Sequence, residues 1–172
     1  MYWIVRLIQR LIKALNSDGT PGQVAAGVVL GAAIGLTPLT SLHNLLFLLV
    51  ILLFNVSVPG ALLGWVVFTP MAFLLDPLFD RVGSAVLLNG GTLEGLWGAI
   101  YNTPVLAFTN LTNSVVLGSL IGWCALSLPI FFVARWTIAR YRATVYARLK
   151  DAKAFKAVQA SKLYNVYRVF RP

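Results

Sequence analysis

Apolar residues fill four long stretches of this chain, and breaks that contain glycine, proline or polar residues separate them. The stretches cover residues 22–36, 39–54, 58–75 and 115–136. Only the last, with 22 residues, reaches the length of about 20 residues that a helix needs to cross a bilayer. As helices the first two would rise only about 22–24 Å, against about 30 Å of hydrocarbon. The pattern predicts an all-α integral membrane protein with short, broken or re-entrant helices.

Proline residues mark two of the breaks. Thr37-Pro38 separates the first two stretches, which form either a pair of thin spans or a re-entrant hairpin. Pro70 lies inside the third stretch and leaves the Val66 carbonyl without its helical donor, which predicts a kink or an interrupted helix. Residues 76–114 are more polar, and they indicate a loop region with one short amphipathic or re-entrant piece.

The two ends of the chain are basic and amphipathic. Residues 1–19 favour an interfacial helix with cationic and amide side chains on one face and large apolar side chains on the other. Residues 137–172 carry an apolar and aromatic stripe with basic residues between, which favours a cytoplasmic surface-bound helix over a solvated tail. A transmembrane domain is predicted between them, at residues 20–136. The candidate membrane-surface residues are Arg6, Arg10, Lys13, Arg140, Arg142 and Arg148.

Positive charge is concentrated at these ends. Of the 14 Lys and Arg residues, three lie within the first 13 residues, ten lie from Arg135 onward, and Arg81 lies between. Short segments beside membrane spans retain positive charge on the cytoplasmic side. Both termini are therefore predicted to be cytoplasmic, and the number of full spans to be even. This distribution accounts for the net charge of +9 better than nucleic-acid binding does, so no nucleic-acid partner is expected.

Composition supports the membrane assignment and argues against enzyme chemistry. Hydrophobic residues make up 59% of the chain, charged residues 11%, and the mean hydropathy is +0.81, far from the averages of soluble proteins. One His, one Cys and five acidic residues make a metallohydrolase or a Ser-His-Asp site hard to assemble, and the phosphate-loop spacing is absent. We therefore expect no catalytic residue, no metal and no cofactor.

Small and polar residues near the Thr-Pro breaks are the candidates for function. Gly31 and Gly35 share one helical face with Gly27, which favours close helix packing over a ligand path. Irregular backbone at membrane depth needs cover from protein or from a wet cavity, so the first break marks a protected interior position. Asn44 is most simply a polar residue that holds helices together. The predicted ligand or lipid pathway comprises Gly31, Gly35, Thr37, Pro38, His43, Thr69, Pro70 and Asp76.

Two ionisable residues of this pathway each have two interpretations. His43 is equally well explained as a proton-relay or headgroup-binding residue and as a hydrogen-bonded histidine near an interface. Asp76 is either the counter-charge of an ion or lipid amine, or the cap of a helix that starts at Pro77. The cap is the simpler of the two interpretations.

Glycines, prolines and small residues over roughly residues 20–136 follow a pattern known from bacteria. The positions are Pro21, Gly27-x-x-x-Gly31-x-x-x-Gly35-x-x-Pro38, an apolar run ending at Asn55, Pro59-Gly60-Ala61, and Thr69-Pro70 before Asp76-Pro77. They resemble the inner-membrane family called domain of unknown function twenty sixty-two, in which many members have Asn-Pro where this chain has Thr-Pro. The chain looks like the subfamily encoded beside long periplasmic AsmA-like proteins. The resemblance implies such a partner, thought to form a lipid-conducting bridge between the two bacterial membranes.

Two functional hypotheses follow. The first is a non-enzymatic inner-membrane subunit of envelope phospholipid transport that anchors or loads the AsmA-like bridge protein, with membrane lipids as ligands. Short helices thin the bilayer and surface helices perturb its inner leaflet, and both effects ease lipid extraction. The alternative is an independent small-solute or proton-coupled transporter, a homo-oligomer of two chains, with His43 and Asp76 as titrating groups and the similar segments 30–35 and 117–122 as inverted halves. A purely structural anchor is the third and weakest hypothesis.

Overall fold

The computed structural model describes residues 19–89, 91 and 94–146, and all regular structure in these ranges is helical. The all-α prediction is therefore confirmed for the described residues. The predicted interfacial helix up to residue 18, with Arg6, Arg10 and Lys13, and the tail beyond residue 146, with Arg148, lie outside them. The helices are α1 (Pro21–Leu36), α2 (Leu42–Leu53), α3 (Val58–Asn89), α4 (Glu94–Asn102), α5 (Pro104–Ala107) and α6 (Ser114–Tyr141), and a π-helical turn follows at Arg142–Tyr146.

Helix α1 has complete start and stop signals in its sequence. The Thr20 hydroxyl accepts a hydrogen bond from the Gln23 backbone N–H at 3.2 Å, and Gln23 Oε1 accepts one from the Thr20 N–H at 2.7 Å. This capping box satisfies two backbone donors that a helix start leaves free. Pro21 occupies the first helical position, where its missing N–H has no consequence. At the other end Thr37 is extended because it precedes Pro38.

Helix α3 is continuous over 32 residues, although Pro70 and Pro77 lie inside it. The loop predicted from Asp76 and the cap of a new helix at Pro77 are therefore wrong, and of the two alternatives predicted at Pro70, a kink or an interruption, the interruption is wrong. The physical reason is tertiary packing, because the part of α3 beyond these prolines lies against α6. Phe79 is only 3% exposed, and burial of this kind outweighs the backbone hydrogen bonds that two prolines remove.

Helices α1 and α3 run parallel and touch at backbone distance. A Cβ added to Gly31 would collide with the Ala61 carbonyl, and a Cβ added to Gly35 would lie 3.0 Å from the Thr69 backbone nitrogen. These contacts advance in the same order along both helices, so the two helices point the same way. The glycine face of α1 is thus a packing surface, as its spacing predicts.

Helix α2 connects these two parallel helices in the sequence and runs back from the end of α1 towards its start. The Ser57 N–H donates to the Gln23 carbonyl at 3.2 Å, so the chain comes back to the start of α1 before α3 begins. Together α1 and α2 form a helical hairpin whose closed end is residues 37–41. At 16 and 12 residues, the two arms rise about 24 and 18 Å.

Helix α6 runs antiparallel to α3 and closes a bundle around α1. A Cβ added to Gly118 would collide with the Phe79 carbonyl, and one added to Gly83 would collide with the Ser114 carbonyl. The short helix α1 is the buried centre of the bundle, and several of its side chains are completely covered. These residues are Val24, Ala25, Ala32 and Ala33.

In the described part of the chain, two helices are long and apolar enough to cross a membrane. They cover Val58–Leu88 and Ser114–Thr144, and each exceeds the about 30 Å of bilayer hydrocarbon. Large apolar side chains cover their outer faces, for example Leu74, which is 82% exposed, and Trp136, which is 66% exposed. Exposed apolar surface on this scale is unusual for a soluble monomer. The fold is therefore that of a membrane-associated helical bundle.

Candidate functional site

The closed end of the hairpin is held together by buried polar contacts. Thr37 is 3% exposed and Asn44 is 7% exposed. The single hydroxyl proton of Thr37 is shared between Asn44 Oδ1, 2.7 Å away, and the Ala33 carbonyl, 2.9 Å away. Asn44 Nδ2 donates to the Pro38 carbonyl at 2.7 Å. Asn44 thus closes the turn where helical hydrogen bonds end, which confirms its predicted role as a polar residue that holds helices together.

A cleft of about 270 Å³ opens beside this turn, between α1 and α3. It brings together five of the eight residues of the predicted pathway: Gly35, Thr37, Pro38, Thr69 and Asp76. Its other walls are the apolar residues Ile34, Leu36, Leu39, Trp65, Ala72 and Phe73. A mostly apolar wall with a few polar groups is typical of small-molecule sites. We call this cavity the Asp76 cleft.

Three residues of the predicted pathway lie outside the Asp76 cleft. Gly31 lies against the backbone of α3, and Pro70 is exposed on that helix. His43 lies on α2, where its Nδ1 is 3.3 Å from the Thr109 carbonyl and its ring centre is 6.1 Å from that of Phe47. Its Nε2 is buried and has no hydrogen-bond partner among the described residues. His43 and Asp76 are therefore not brought together in one cavity.

Asp76 is half-buried in the cleft, and its carboxylate has no hydrogen-bond or ion-pair partner within the described ranges. Asp80, one helical turn further, differs because it accepts a hydrogen bond from the Ser114 hydroxyl. Pro77 has no N–H, so the carbonyl of Phe73 also lacks its usual helical donor. This part of α3 therefore offers hydrogen-bond acceptors that the described part of the protein leaves unused.

A second groove, of about 240 Å³ and lined by apolar residues, adjoins the Asp76 cleft. The two cavities share Ile34, Leu39 and Trp65 as wall residues. The other residues of the groove are Leu48, Ile51, Val58, Ala61 and Leu62. Cleft and groove thus lie next to each other along α3, with polar groups near Asp76 and apolar walls towards the start of the helix. We call the second cavity the apolar groove.

A third cavity, of about 380 Å³, lies between α3 and α6. Its walls are apolar except for Thr137, and Val28 of α1 forms part of them.

Trp123 joins α6 to both arms of the hairpin. Its Nε1 donates to the Val29 carbonyl of α1 at 2.9 Å, and its ring centre lies 4.9 Å from that of Phe47 on α2. Sequence reasoning did not identify this contact, which links residues 94 positions apart.

Two of the predicted membrane-surface residues lie within the described ranges. Arg142 donates from its guanidinium to the Gly19 carbonyl at 2.6 Å, so it joins the end of α6 to the start of α1. Arg140 is exposed in the last turn of α6. Gly19 also lies at the end of the bundle where α3 begins. The open end of the hairpin is therefore the basic end of the bundle.

Comparison with known proteins assigns this chain a family but no established activity. The sequence pattern of a family described as "Uncharacterized protein conserved in bacteria (DUF2062)" matches residues 5–145. A protein of Treponema pallidum (strain Nichols), described as an uncharacterized protein, is 24% identical over 160 residues, which cover 93% of this chain and 98% of that protein. No solved structure matches the chain.

Proposed function

The chain belongs to the DUF2062 family of bacterial proteins, and for this member we propose a role in phospholipid transport through the cell envelope. It acts as a non-enzymatic, multi-pass subunit of the bacterial inner membrane, and it anchors or loads a long periplasmic AsmA-like protein that bridges the two membranes. Its ligands are membrane lipids. The observation that carries this proposal is that the Asp76 cleft and the apolar groove adjoin along α3; in the proposal they form one path.

The shape of this path suits an amphiphile. The polar groups of the Asp76 cleft lie at one end, and only apolar residues line the other end. Asp76 and Ala61 are 15 residues apart on α3, which corresponds to about 22 Å along the helix. One leaflet of the hydrocarbon is about 15 Å thick, half of the bilayer value. An acyl chain therefore fits along the apolar groove while the headgroup of the same lipid occupies the cleft.

In the proposed topology α3 and α6 are the two full spans, and both termini are cytoplasmic. The basic end of the bundle, with Arg140 and Arg142, then faces the cytoplasm. The hairpin of α1 and α2 enters from this side as a re-entrant element, because its arms are shorter than the bilayer. Its closed end lies beside Thr69 of α3, well inside the membrane. A short element at this depth thins the bilayer locally and eases lipid extraction.

We expect the closed end of the hairpin to be shielded from the periplasm. In a Cys124→Ala background, Thr40→Cys places a thiol at an exposed position of the turn, and Gly91→Cys places one in the connection predicted to be periplasmic. The Leu42 N–H donates to the Phe108 carbonyl at 3.0 Å, so residues before α6 contact this end of the hairpin. A membrane-impermeant maleimide added to spheroplasts should label the Gly91→Cys variant and leave the Thr40→Cys variant unlabelled. Equal labelling of both variants would favour two thin spans and contradict the re-entrant hairpin.

Purification from native membranes tests the function itself. The full chain with an affinity tag is extracted in a mild detergent, and mass spectrometry identifies co-purified proteins and phospholipids. A large periplasmic AsmA-like protein and bound phospholipid are the expected result. A tagged inner-membrane protein of similar size, extracted in parallel, controls for carry-over. Recovery of neither partner nor lipid above this control would contradict the proposal.

The alternative function, an independent proton-coupled or small-solute transporter, is favoured by one observation. The Nε2 atom of His43 is buried without a partner among the residues described, and an ionisable residue within an apolar segment is a candidate for proton transfer. Asp76, the second titrating group of this hypothesis, lies in a different cavity from His43. The same purification separates the two functions, because a self-sufficient transporter needs neither a periplasmic partner nor bound phospholipid.

A further inference from the structure

Asp76 is a carboxylate in a mostly apolar cavity that the described part of the protein leaves without a partner. We propose that the Asp76 cleft binds a primary ammonium group, and that this group belongs to a phospholipid headgroup, so that the path selects phosphatidylethanolamine over phosphatidylglycerol. This inference rests on the proposed function and names its substrate class.

The hydroxyl protons of the cleft are used within the protein, which leaves the hydroxyl oxygens as acceptors. The Thr69 hydroxyl donates to the Trp65 carbonyl at 2.7 Å, and the Thr37 proton is shared within the hairpin turn. Among the described residues, no Lys, Arg or His lines the cavity. An ammonium group carries three donors and no acceptor, so it matches the Asp76 carboxylate and these oxygens. A phosphate group finds no cationic side chain in these walls, and the Asp76 carboxylate repels it.

Electrostatics favour the same ligand. A carboxylate in apolar surroundings is unfavourable unless a cation or several donors compensate its charge. Within the described ranges no cationic side chain compensates Asp76, whereas the Ser114 hydroxyl donates to Asp80. In the proposal, the compensating cation comes from outside these residues. A lipid ammonium group supplies it and leaves the lipid phosphate at the mouth of the cleft.

The apolar groove explains why the ammonium group is part of a lipid. It shares Ile34, Leu39 and Trp65 with the cleft, so apolar walls lie directly beside a headgroup bound at Asp76. A free amine such as ethanolamine fills only the polar end. The burial of the methylene groups of an acyl chain adds hydrophobic stabilisation, which makes a lipid the stronger ligand.

The test measures the headgroup composition of bound lipid. The purified full chain is equilibrated with mixed micelles that contain equal amounts of phosphatidylethanolamine and phosphatidylglycerol, and co-purified lipid is quantified by mass spectrometry. We expect the native chain to enrich phosphatidylethanolamine about tenfold, which corresponds to about 1.4 kcal/mol, because the lipid ammonium group donates hydrogen bonds to a charged carboxylate. Asp76→Asn should remove the preference. Asp80→Asn, one turn further on the same helix, is the matched control and should retain it.

Each other outcome overturns the inference. Equal binding of both lipids by the native chain, or the same enrichment in Asp76→Asn and the native chain, would show that Asp76 does not select the headgroup. If free ethanolamine at equal concentration displaces phosphatidylethanolamine completely, the ligand is a soluble amine. In the first two cases total bound phospholipid persists and the proposed transport function survives. If no phospholipid binds to the native chain, the function and the inference fail together.

Discussion

Replacing Gly31 with valine should prevent the bundle from assembling. The new Cβ would collide with the Ala61 carbonyl and lie 2.8 Å from the Trp65 backbone nitrogen. Both obstacles are backbone atoms, so no side-chain rotation relieves the clash, and α1 must separate from α3 along its whole contact. Overpacking of a core usually destabilises by about 1–3 kcal/mol, and we expect this substitution to exceed that range. The measurement is the yield of monodisperse protein in mild detergent and its midpoint of thermal unfolding.

Gly98→Val is the matched control for this prediction. A Cβ at Gly98 meets nothing within 4 Å, and the helix that carries Gly98, α4, has no buried residue. The change therefore adds the same side chain at a helical glycine that has open space. We expect its yield and unfolding midpoint to stay close to those of the native chain. Equal stability of the two variants would show that α1 and α3 do not approach at Gly31.

Replacing Asn44 with leucine should produce the second-largest loss of stability. The side chain is of similar size, but the change removes the donor to the Pro38 carbonyl and the acceptor of the Thr37 hydroxyl. A buried polar group left without a partner destabilises by about 1–3 kcal/mol. The free energy of unfolding should therefore fall by an amount in this range for each group that stays unsatisfied. Thermal unfolding in detergent measures it, and hydrogen exchange should show faster opening of the turn at residues 37–44.

Asn102→Leu is the control for the loss of an asparagine hydrogen bond. Asn102 Nδ2 donates to the Gly98 carbonyl at 2.8 Å, but the pair is exposed to the surroundings. Its loss should change the free energy of unfolding by about 1 kcal/mol or less. If Asn44→Leu is no more destabilising than Asn102→Leu, the polar contacts at the closed end of the hairpin do not hold it together.

Local rules were sufficient for much of the fold. Pro21 lies at the start of α1, Thr37-Pro38 ends it, and the long apolar run of residues 115–136 became α6, which extends to Tyr141. These features follow the sequence because proline effects act within a few residues. The same local rules failed for α3. Its two prolines and polar residues suggested an interruption and a loop, whereas contacts with α6 keep the helix continuous to Asn89.

The candidate site was predictable in its residues but not in its arrangement. Five of the eight predicted residues line one cleft, because polar groups and prolines inside apolar runs are rare enough to stand out. The separation of His43 from Asp76 was not predictable. It depends on α2 facing the residues before α6, as the contact of His43 with Thr109 shows. The apolar groove could not be predicted either, since its residues have the same types as any other lipid-facing or core residues.

By itself, the sequence determined the apolar and helical character of the chain, the basic charge at its ends and the presence of a glycine face on α1. It did not determine which helix meets that face. The tertiary structure decided that α3 does, in parallel orientation, and that the short α1 is buried while the long helices face outward. The physical reason is that periodicity and capping are local, whereas helix pairing minimises the free energy of the whole bundle. The Asp76 cleft exists only because residues 34–39 meet residues 65–76 across that pairing.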